Sequence, residues 1–220
     1  VEICEDIWYA DGPHAAQTMI GGAQLIVDIN SSPFYAGKWK ARERMLGTRA
    51  QDNSCAIVYL NAVGGQDELV FDGHSLVLNA AGDVIFRCKA FEEQLAITEI
   101  DLTGVNHQRL VDPRRRKAKQ MQRIEMDVER TRLQGFTVSD KPVELSESVE
   151  APDELSEIYK ALVTGTRDYV HKNHFKYIVL GLSGGIDSAI VACIAVDALG
   201  ADMVRALIMP SQFSSNETQS

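Results

Sequence analysis

The sequence has no long apolar run and no excess of positive charge. No stretch of its 220 residues reaches the roughly 18 consecutive apolar residues that a membrane span needs, and no signal peptide is visible. The net charge of -9 argues against a surface whose main role is to bind nucleic acid. A hydrophobic content of 45% with 24% charged residues is typical of a soluble globular protein.

Cysteine is scarce, and its spacing suggests no pairs. The four cysteines are Cys4, Cys55, Cys88 and Cys193. Their separation indicates neither a zinc site nor a disulfide framework, and the five histidines show no metal-ligand spacing. The lack of paired cysteines predicts that the thiols are reduced and that the protein is cytoplasmic. The apolar neighbours of Cys55 and Cys193 predict that both side chains fill the core.

An initiator methionine is also missing. The chain begins at Val1 within a predicted strand and stops at Ser220, one short loop after another predicted strand. We therefore expect part of a longer protein. A parallel sheet of only two strands cannot bury both faces, so about three or more further strands are expected beyond Ser220.

The first half of the chain predicts a layered α/β domain. Short apolar or alternating runs bounded by Gly, Asn or Asp predict strands at residues 1–4, 23–29, 56–62, 75–78, 84–87 and 94–100. Helices are predicted at residues 13–20 and 38–54. The segment Ala-Ala-Gly-Asp at 80–83 predicts a hairpin turn, which adds antiparallel strands after the alternating helices and strands.

The second half predicts the opening of a doubly wound parallel sheet. Asp153 is a suitable N-cap for a helix up to residue 173. A strand at 177–180, a glycine loop, a helix from 189 to 199 and a strand at 203–209 follow.

A polar, acidic stretch separates the two halves. Residues 138–153 include Pro142 and Pro152, which fits an interdomain connector. The basic run at 114–119 fits a phosphate or nucleic-acid patch or a solvated linker, and the acidic composition favours the linker. We therefore divide the chain into a first domain, a linker and a second domain at residues 1–112, 113–152 and 153–220.

The second half carries a candidate phosphate loop. Its members are Gly181, Leu182, Ser183, Gly184, Gly185, Ile186, Asp187 and Ser188. Gly184 and Gly185 let the backbone approach an anion, and the N–H groups of the following helix face it. Ser183 and Ser188 add hydroxyl donors, while a carboxylate at Asp187 suits a Mg²⁺ ion placed between it and the phosphates. The alternative is a glycine loop that only closes a strand–helix turn.

This loop matches neither of two common nucleotide motifs. No Gly-Lys-Ser/Thr follows the glycines, and the Gly-x-Gly-x-x-Gly spacing is absent. Instead, Ser-Gly-Gly-x-Asp-Ser after a strand resembles the pyrophosphatase loop of ATP-dependent amidating and thiolating enzymes. The resemblance implies a Rossmann-like ATP-pyrophosphatase domain, which splits ATP between the α and β phosphates and leaves an adenylated substrate.

A second chemical centre is predicted in the first half. Cys4 ends a strand, and a cysteine at a sharp strand exit can present a reactive thiolate in a crevice. Taken alone, such a cysteine is more often a buried packing residue. The segment Asn-Ser-Ser-Pro-Phe at 30–34 ends the next strand and is followed by Lys38. In a parallel sheet, both strand ends lie at the same edge.

Together these segments resemble the nitrilase (carbon-nitrogen hydrolase) superfamily, and specifically the glutamine-hydrolysing domain fused to NAD⁺ synthetase. Cys-Glu-Asp-x-Trp, Asn-x-Ser-Pro-Phe and Gly-Gly-Gln-Asp-Glu-Leu-Val-Phe-Asp-Gly match that family's nucleophile elbow, substrate loop and later loop. Met-Pro-Ser at 209–211 and Ser-Ser-Asn-Glu-Thr at 214–218 are similar to a loop of the synthetase. The fold implied is part of an α-β-β-α sandwich followed by the start of the ATP-pyrophosphatase domain.

The resemblance implies roles for particular residues. Cys4 would attack the glutamine side-chain amide and form a glutamyl thioester, while Ser32 and Lys38 would hold the α-amino and α-carboxylate groups. Lys38 as an ordinary surface lysine remains an alternative. Glu5 would either align the site or be a solvated carboxylate. The family's Glu base and oxyanion-binding Lys precede the cysteine, where this chain has three residues, so the chain alone is expected to be inactive.

The implied reaction is the amidation of deamido-NAD⁺ to NAD⁺, the last step of NAD⁺ biosynthesis. ATP and Mg²⁺ would serve as cofactors and L-glutamine as nitrogen donor, in a homo-oligomer with no nucleic-acid or membrane partner. Two other interpretations remain: another amide ligase with the same ATP loop, such as a guanylate- or asparagine-type synthetase, and a non-catalytic assembly module.

Overall fold

A computed structural model of the chain describes residues 1–113, 117, 126–135 and 142–208. The predictions for residues 209–218, and for the basic run except Lys117, lie outside the described residues. Within the described ranges, no helix is both long and apolar enough to cross a membrane.

Most elements follow the predicted order, while the helix at 103–111 and the strands at 63–66 and 69–72 were not predicted. The strands are β1 (Glu2–Ile3), β2 (Leu25–Asn30), β3 (Ala56–Asn61), β4 (Val63–Gln66), β5 (Leu69–Asp72), β6 (Leu76–Leu78), β7 (Val84–Arg87), β8 (Ile178–Leu182) and β9 (Val204–Ile208). The α-helices are α1 (Pro13–Met19), α2 (Lys38–Asn53), α3 (Thr103–Val111), α4 (Glu154–Lys172) and α5 (Ile186–Leu199). Short 3-10 turns occupy Cys4–Trp8 and Ala201–Met203.

The first part of the chain is built on a five-stranded sheet of order β1-β2-β3-β6-β7. Strands β1, β2 and β3 are parallel, and the β6–β7 hairpin joins them antiparallel. The prediction of a layered α/β domain with late hairpin strands is therefore confirmed. Because β1, β2 and β3 run in the same direction, their carboxyl ends meet at one edge of the sheet.

A hydrophobic core lies between this sheet and α2. Ile26 and Ile57 of the central strands pack against Leu46 of the helix, and all three side chains are buried. Cys55 belongs to this core, as predicted. Cys193 was expected to fill a core as well, but it is exposed on α5. An apolar sequence context therefore did not distinguish a buried from an exposed cysteine.

Two local predictions in the first part were wrong. Residues 94–100 form no strand; this segment is extended, and Ile97 exchanges hydrogen bonds with Ser146 of the connector. The segment Gly-Gly-Gln-Asp-Glu-Leu-Val-Phe-Asp-Gly at 64–73, which was matched to a loop of the carbon-nitrogen hydrolase family, contains most of the antiparallel β4–β5 hairpin. The predicted turn at 80–83 is confirmed, with the Asn79 Oδ1 atom accepting from the amide of Asp83 at 3.0 Å.

The second part begins with α4, which is capped as predicted. The Asp153 carboxylate accepts a hydrogen bond from the amide of Ser156 at 3.0 Å. Strands β8 and β9 then pair in parallel, with α5 between them in the chain. This is the expected opening of a doubly wound sheet.

Candidate active sites

Cys4 lies on a strained turn at the end of β1. Its φ of 52° falls in the left-handed region, which costs a non-glycine residue roughly 1–2 kcal/mol. Asp6 and Arg49 hold the turn: the Asp6 carboxylate accepts from the amide of Ile3 at 3.3 Å, and Arg49 donates to the carbonyl of Trp8 at 2.9 Å. Cys4 is partly exposed and is not part of the hydrophobic core.

The residues that follow three parallel strands come together beside this turn. Cys4 follows β1, Ser32 follows β2, and Asn61 ends β3. The Asn61 side chain accepts a hydrogen bond from the amide of Ser32 at 2.8 Å, which fixes the loop after β2. Ser32 is itself buried. Glu5, in contrast, is exposed and accepts a hydrogen bond from the Tyr9 hydroxyl at 2.9 Å.

Lys38, the first residue of α2, is half-buried against the same loop. Its ammonium group donates to the carbonyl of Pro33 and lies 5.3 Å from the centre of the Tyr35 ring. Burial lowers the pKa of Lys38, as does the charge of Arg42, while Asp72 and the Cys4 sulfur oppose this effect. Lys38 is therefore partly shielded from solvent, and its role in binding stays a prediction.

Sequence reasoning missed a buried ion pair beneath these residues. Arg42 and Asp72 form two hydrogen bonds of 3.0 Å with almost no solvent exposure. Burial alone would lower the pKa of Arg42, but the hydrogen bonds and charge of Asp72 raise it. Asp72 also accepts from Asn61 at 3.0 Å, so the ion pair supports the side chain that fixes Ser32. No local sequence signal indicated this pair, because Arg42 and Asp72 are 30 positions apart.

Asp72→Ala is expected to reduce the free energy of unfolding by about 3–5 kcal/mol, because it leaves the Arg42 guanidinium buried without its counter-charge. Replacing both residues by leucine should recover much of this loss. Chemical denaturation of the single and double variants provides the measurement. A single variant as stable as the wild type would contradict the structural importance of this pair.

His74 is a buried, neutral histidine next to the ion pair. It stacks on Trp39 at 5.8 Å between ring centres, and burial lowers its pKa to about 4. The nearest acidic atom, Glu43 Oε1, is 3.7 Å from its Nε2 atom, too far for a hydrogen bond. Protonation of His74 is therefore expected to destabilise the folded state.

This lowered pKa predicts how stability changes with acidity. The unfolded state binds the proton first, near its ordinary pKa, so the stabilisation is lost as pH falls through about 6.5 towards 4. Relative to His74→Gln, the wild type should lose about 2 kcal/mol of unfolding free energy between about pH 7 and pH 4.5. Denaturation followed by tryptophan fluorescence at both pH values tests this. A constant difference between the two proteins would be the contrary result.

The glycine loop of the second part lies between β8 and α5. Gly181 and Leu182 belong to the strand, while Ser183, Gly184 and Gly185 form the turn. Gly184 has a φ of 79°, which favours glycine because a side chain would be strained there. The residues Ile186, Asp187 and Ser188 form the first turn of α5, where backbone N–H groups have no acceptor within the helix.

Two serine hydroxyl groups stabilise this turn from inside. The Ser188 hydroxyl donates to the carbonyl of Gly185 at 2.8 Å and lies 3.2 Å from the Ser183 hydroxyl. The amides of Ser183 and Gly185 also donate within the turn, to the Ser188 and Ser183 hydroxyl oxygens at 3.3 and 3.4 Å, while the glycines of the turn and Asp187 are exposed to solvent. The turn is therefore open to an anion at the positive end of the α5 dipole.

Asp187 is the candidate metal ligand in this turn. Its exposed carboxylate is at the second position of α5. Within the described residues, no group of three or more His, Cys, Asp or Glu side chains is placed to hold a metal ion. A single carboxylate fits Mg²⁺, which commonly completes its shell with substrate phosphates and water.

Two family models match separate parts of the chain. The Carbon-nitrogen hydrolase family model matches residues 1–109, and the NAD synthase family model matches residues 158–220. The glutamine-dependent NAD(+) synthetase of Aquifex aeolicus is 48% identical over 98% of this chain, and that of Thermotoga maritima is 43% identical over 99%. The chain spans 37% of the length of each of these two relatives.

A solved structure has a similar fold over nearly the whole chain. The glutamine-dependent NAD+ synthetase of Acinetobacter baumannii, in complex with adenosine diphosphate, is 35% identical and superposes with a TM-score of 0.73. The alignment covers 99% of this chain and 34% of that structure. With both family models in this order and relatives matching nearly every residue, the chain is homologous to a part of the glutamine-dependent NAD⁺ synthetases.

Proposed function

We propose that the protein carrying this chain converts deamido-NAD⁺ to NAD⁺, using ATP and the side-chain amide nitrogen of L-glutamine. The observation that carries the proposal is the presence of two separate sites in one chain. Cys4 lies on a strained turn beside Ser32 and Lys38, and an exposed glycine turn begins α5. Within this proposal, residues 1–112, 113–152 and 153–220 form the glutaminase part, the linker and the synthetase part.

In the glutaminase part, Cys4 is the nucleophile. Its sulfur attacks the carbonyl carbon of the glutamine side-chain amide; the C–N bond breaks, ammonia leaves, and a thioester remains until water releases glutamate. Ser32 and Lys38 hold the amino-acid end of glutamine. The Lys38 ammonium suits an α-carboxylate, and the buried Arg42–Asp72 pair keeps the surrounding loop in place.

In the synthetase part, residues 181–188 hold ATP. The carboxylate of deamido-NAD⁺ attacks the α-phosphorus, pyrophosphate leaves, and ammonia then displaces AMP to form the amide. Backbone N–H groups at the start of α5 stabilise negative charge on the phosphates. When bound, Mg²⁺ would neutralise further charge on the leaving pyrophosphate, and Asp187 is the residue that would hold it.

A test of acceptors separates this function from its main alternatives. A protein that carries this chain at the full length of its relatives should form NAD⁺, AMP and pyrophosphate from deamido-NAD⁺, ATP and glutamine. Xanthylate and aspartate should give no product. Amidation of one of those acceptors would indicate another ligase with the same loop, and absence of every reaction would support a non-catalytic module. We further propose a homo-oligomer in the cytoplasm, which size-exclusion chromatography and cell fractionation test.

A further inference from the structure

One face of α4, the first helix of the synthetase part, lies against the glutamine-binding loop of the other part. Ala161 of α4 is buried against Phe91 and Ala90, and Phe34 packs on the same cluster. The Phe34 and Phe91 rings meet edge to face, with 5.4 Å between their centres. Phe34 is only two residues after Ser32, so α4 covers the loop proposed to hold glutamine.

Glu157, one turn before Ala161, contacts the start of α2. Its carboxylate accepts a hydrogen bond from the amide of Gly37 at 3.0 Å, and the residue is 2% exposed. Gly37 is the N-cap of α2, and the next residue is Lys38. A carboxylate at this end of a helix interacts favourably with the helix dipole. The contact therefore fixes the backbone from which Lys38 extends.

The same face of α4 also holds the β4–β5 hairpin. Asp168 accepts from the amide of Gly65 at 2.7 Å, and Lys172 donates to the Gly65 carbonyl. A side chain at Gly64 would collide with the Asp168 carboxylate, at 2.6 Å from its Cβ position. The hairpin ends at Asp72, which supports the Ser32 loop through Asn61.

Glu157 thus contacts the glutamine-binding loop at its end, next to Lys38. Asp168 holds the hairpin that supports the start of the same loop at Ser32. We infer that Glu157 is a positioning residue of the glutaminase: a carboxylate from the synthetase part that fixes the start of α2 and, with it, Lys38. This inference rests on the proposed function only in what it predicts for the KM of glutamine. The ordering of α2 by Glu157 is a structural claim that can be measured separately.

The experiment compares variants of α4 in a protein that carries this chain at the full length of its relatives. Glu157→Ala removes the acceptor, Glu157→Gln keeps an acceptor without the charge, and Glu154→Ala is a matched control on the exposed face of the same helix. Glutamine hydrolysis, NAD⁺ formation with ammonia, and amide hydrogen exchange are measured for each protein.

Glu157→Ala should raise the KM for glutamine about tenfold, leave NAD⁺ formation with ammonia within about twofold, and speed exchange of the amides at 37–40 about tenfold or more. Glu157→Gln should fall between it and the wild type, and Glu154→Ala should match the wild type. The inference would be overturned if Glu157→Ala left both the KM for glutamine and the amide exchange at 37–40 unchanged. It would also be overturned if NAD⁺ formation fell equally with glutamine and with ammonia. If the wild type hydrolyses no glutamine, the proposed function fails, while the exchange result still decides the role of Glu157.

Discussion

Replacing Cys4 by alanine should lower glutamine-dependent NAD⁺ formation by about 10⁴-fold and leave ammonia-dependent formation within about twofold of the wild type. The sulfur is the only group proposed to form a bond with glutamine. The synthetase step needs only ammonia, whichever source supplies it. Cys4 is partly exposed and lies outside the hydrophobic core, so its loss should not unfold the protein.

Cys88→Ala is the matched control for this variant. Cys88 is also a free, half-buried thiol, but it follows β7, and burial raises its pKa. The Cys88→Ala variant should retain NAD⁺ formation with glutamine and with ammonia. The rates of NAD⁺ formation with each nitrogen source, measured at saturating ATP and deamido-NAD⁺, give the comparison. Loss of both activities in Cys4→Ala would contradict the assignment of separate sites.

Asp187→Asn should have the second largest effect, and its pattern should differ. We expect NAD⁺ formation from glutamine and from ammonia to fall together, by about 100-fold or more, because the amide is a weaker Mg²⁺ ligand than the carboxylate. The Mg²⁺ concentration that gives half the maximal rate should rise as well. Titration of each activity with Mg²⁺ provides the measurement.

Asp202→Asn makes the same chemical change at an exposed acidic residue after α5. It should keep the wild-type rates and the wild-type Mg²⁺ requirement. A change in Asp187→Asn confined to the glutamine-dependent reaction would contradict a role at the phosphates. Equal effects of both substitutions would point to general surface charge instead of a metal ligand.

Periodicity and turn chemistry predicted most of the fold. The alternating runs of β2, β3 and β7 and the capped start of α4 lie within about two residues of their predicted bounds. The strand predicted at 94–100 is absent because an alternating pattern indicates which side chains face the core and does not indicate whether a partner strand is available. Hairpin β4–β5 was missed because two adjacent glycines, Gly64 and Gly65, obscured its strand pattern.

The candidate site was predictable only where short motifs carry its chemistry. Cys4, Ser32 and Lys38 could be named because parallel strands bring their carboxyl ends to one edge. The supporting residues could not, since Arg42 and Asp72 are 30 positions apart and show their relation only when folded. Glu157 is 120 positions from its partner Gly37, and nothing in its local sequence indicates that contact.

The fate of the glutamine amide nitrogen tests the central claim most directly. A protein that carries this chain at the full length of its relatives would be supplied with ATP, deamido-NAD⁺ and glutamine labelled with ¹⁵N in the side-chain amide. Mass spectrometry should find the label in the carboxamide of NAD⁺, with one AMP formed for each NAD⁺. Product without the label, or ADP and phosphate in place of AMP and pyrophosphate, would contradict the account.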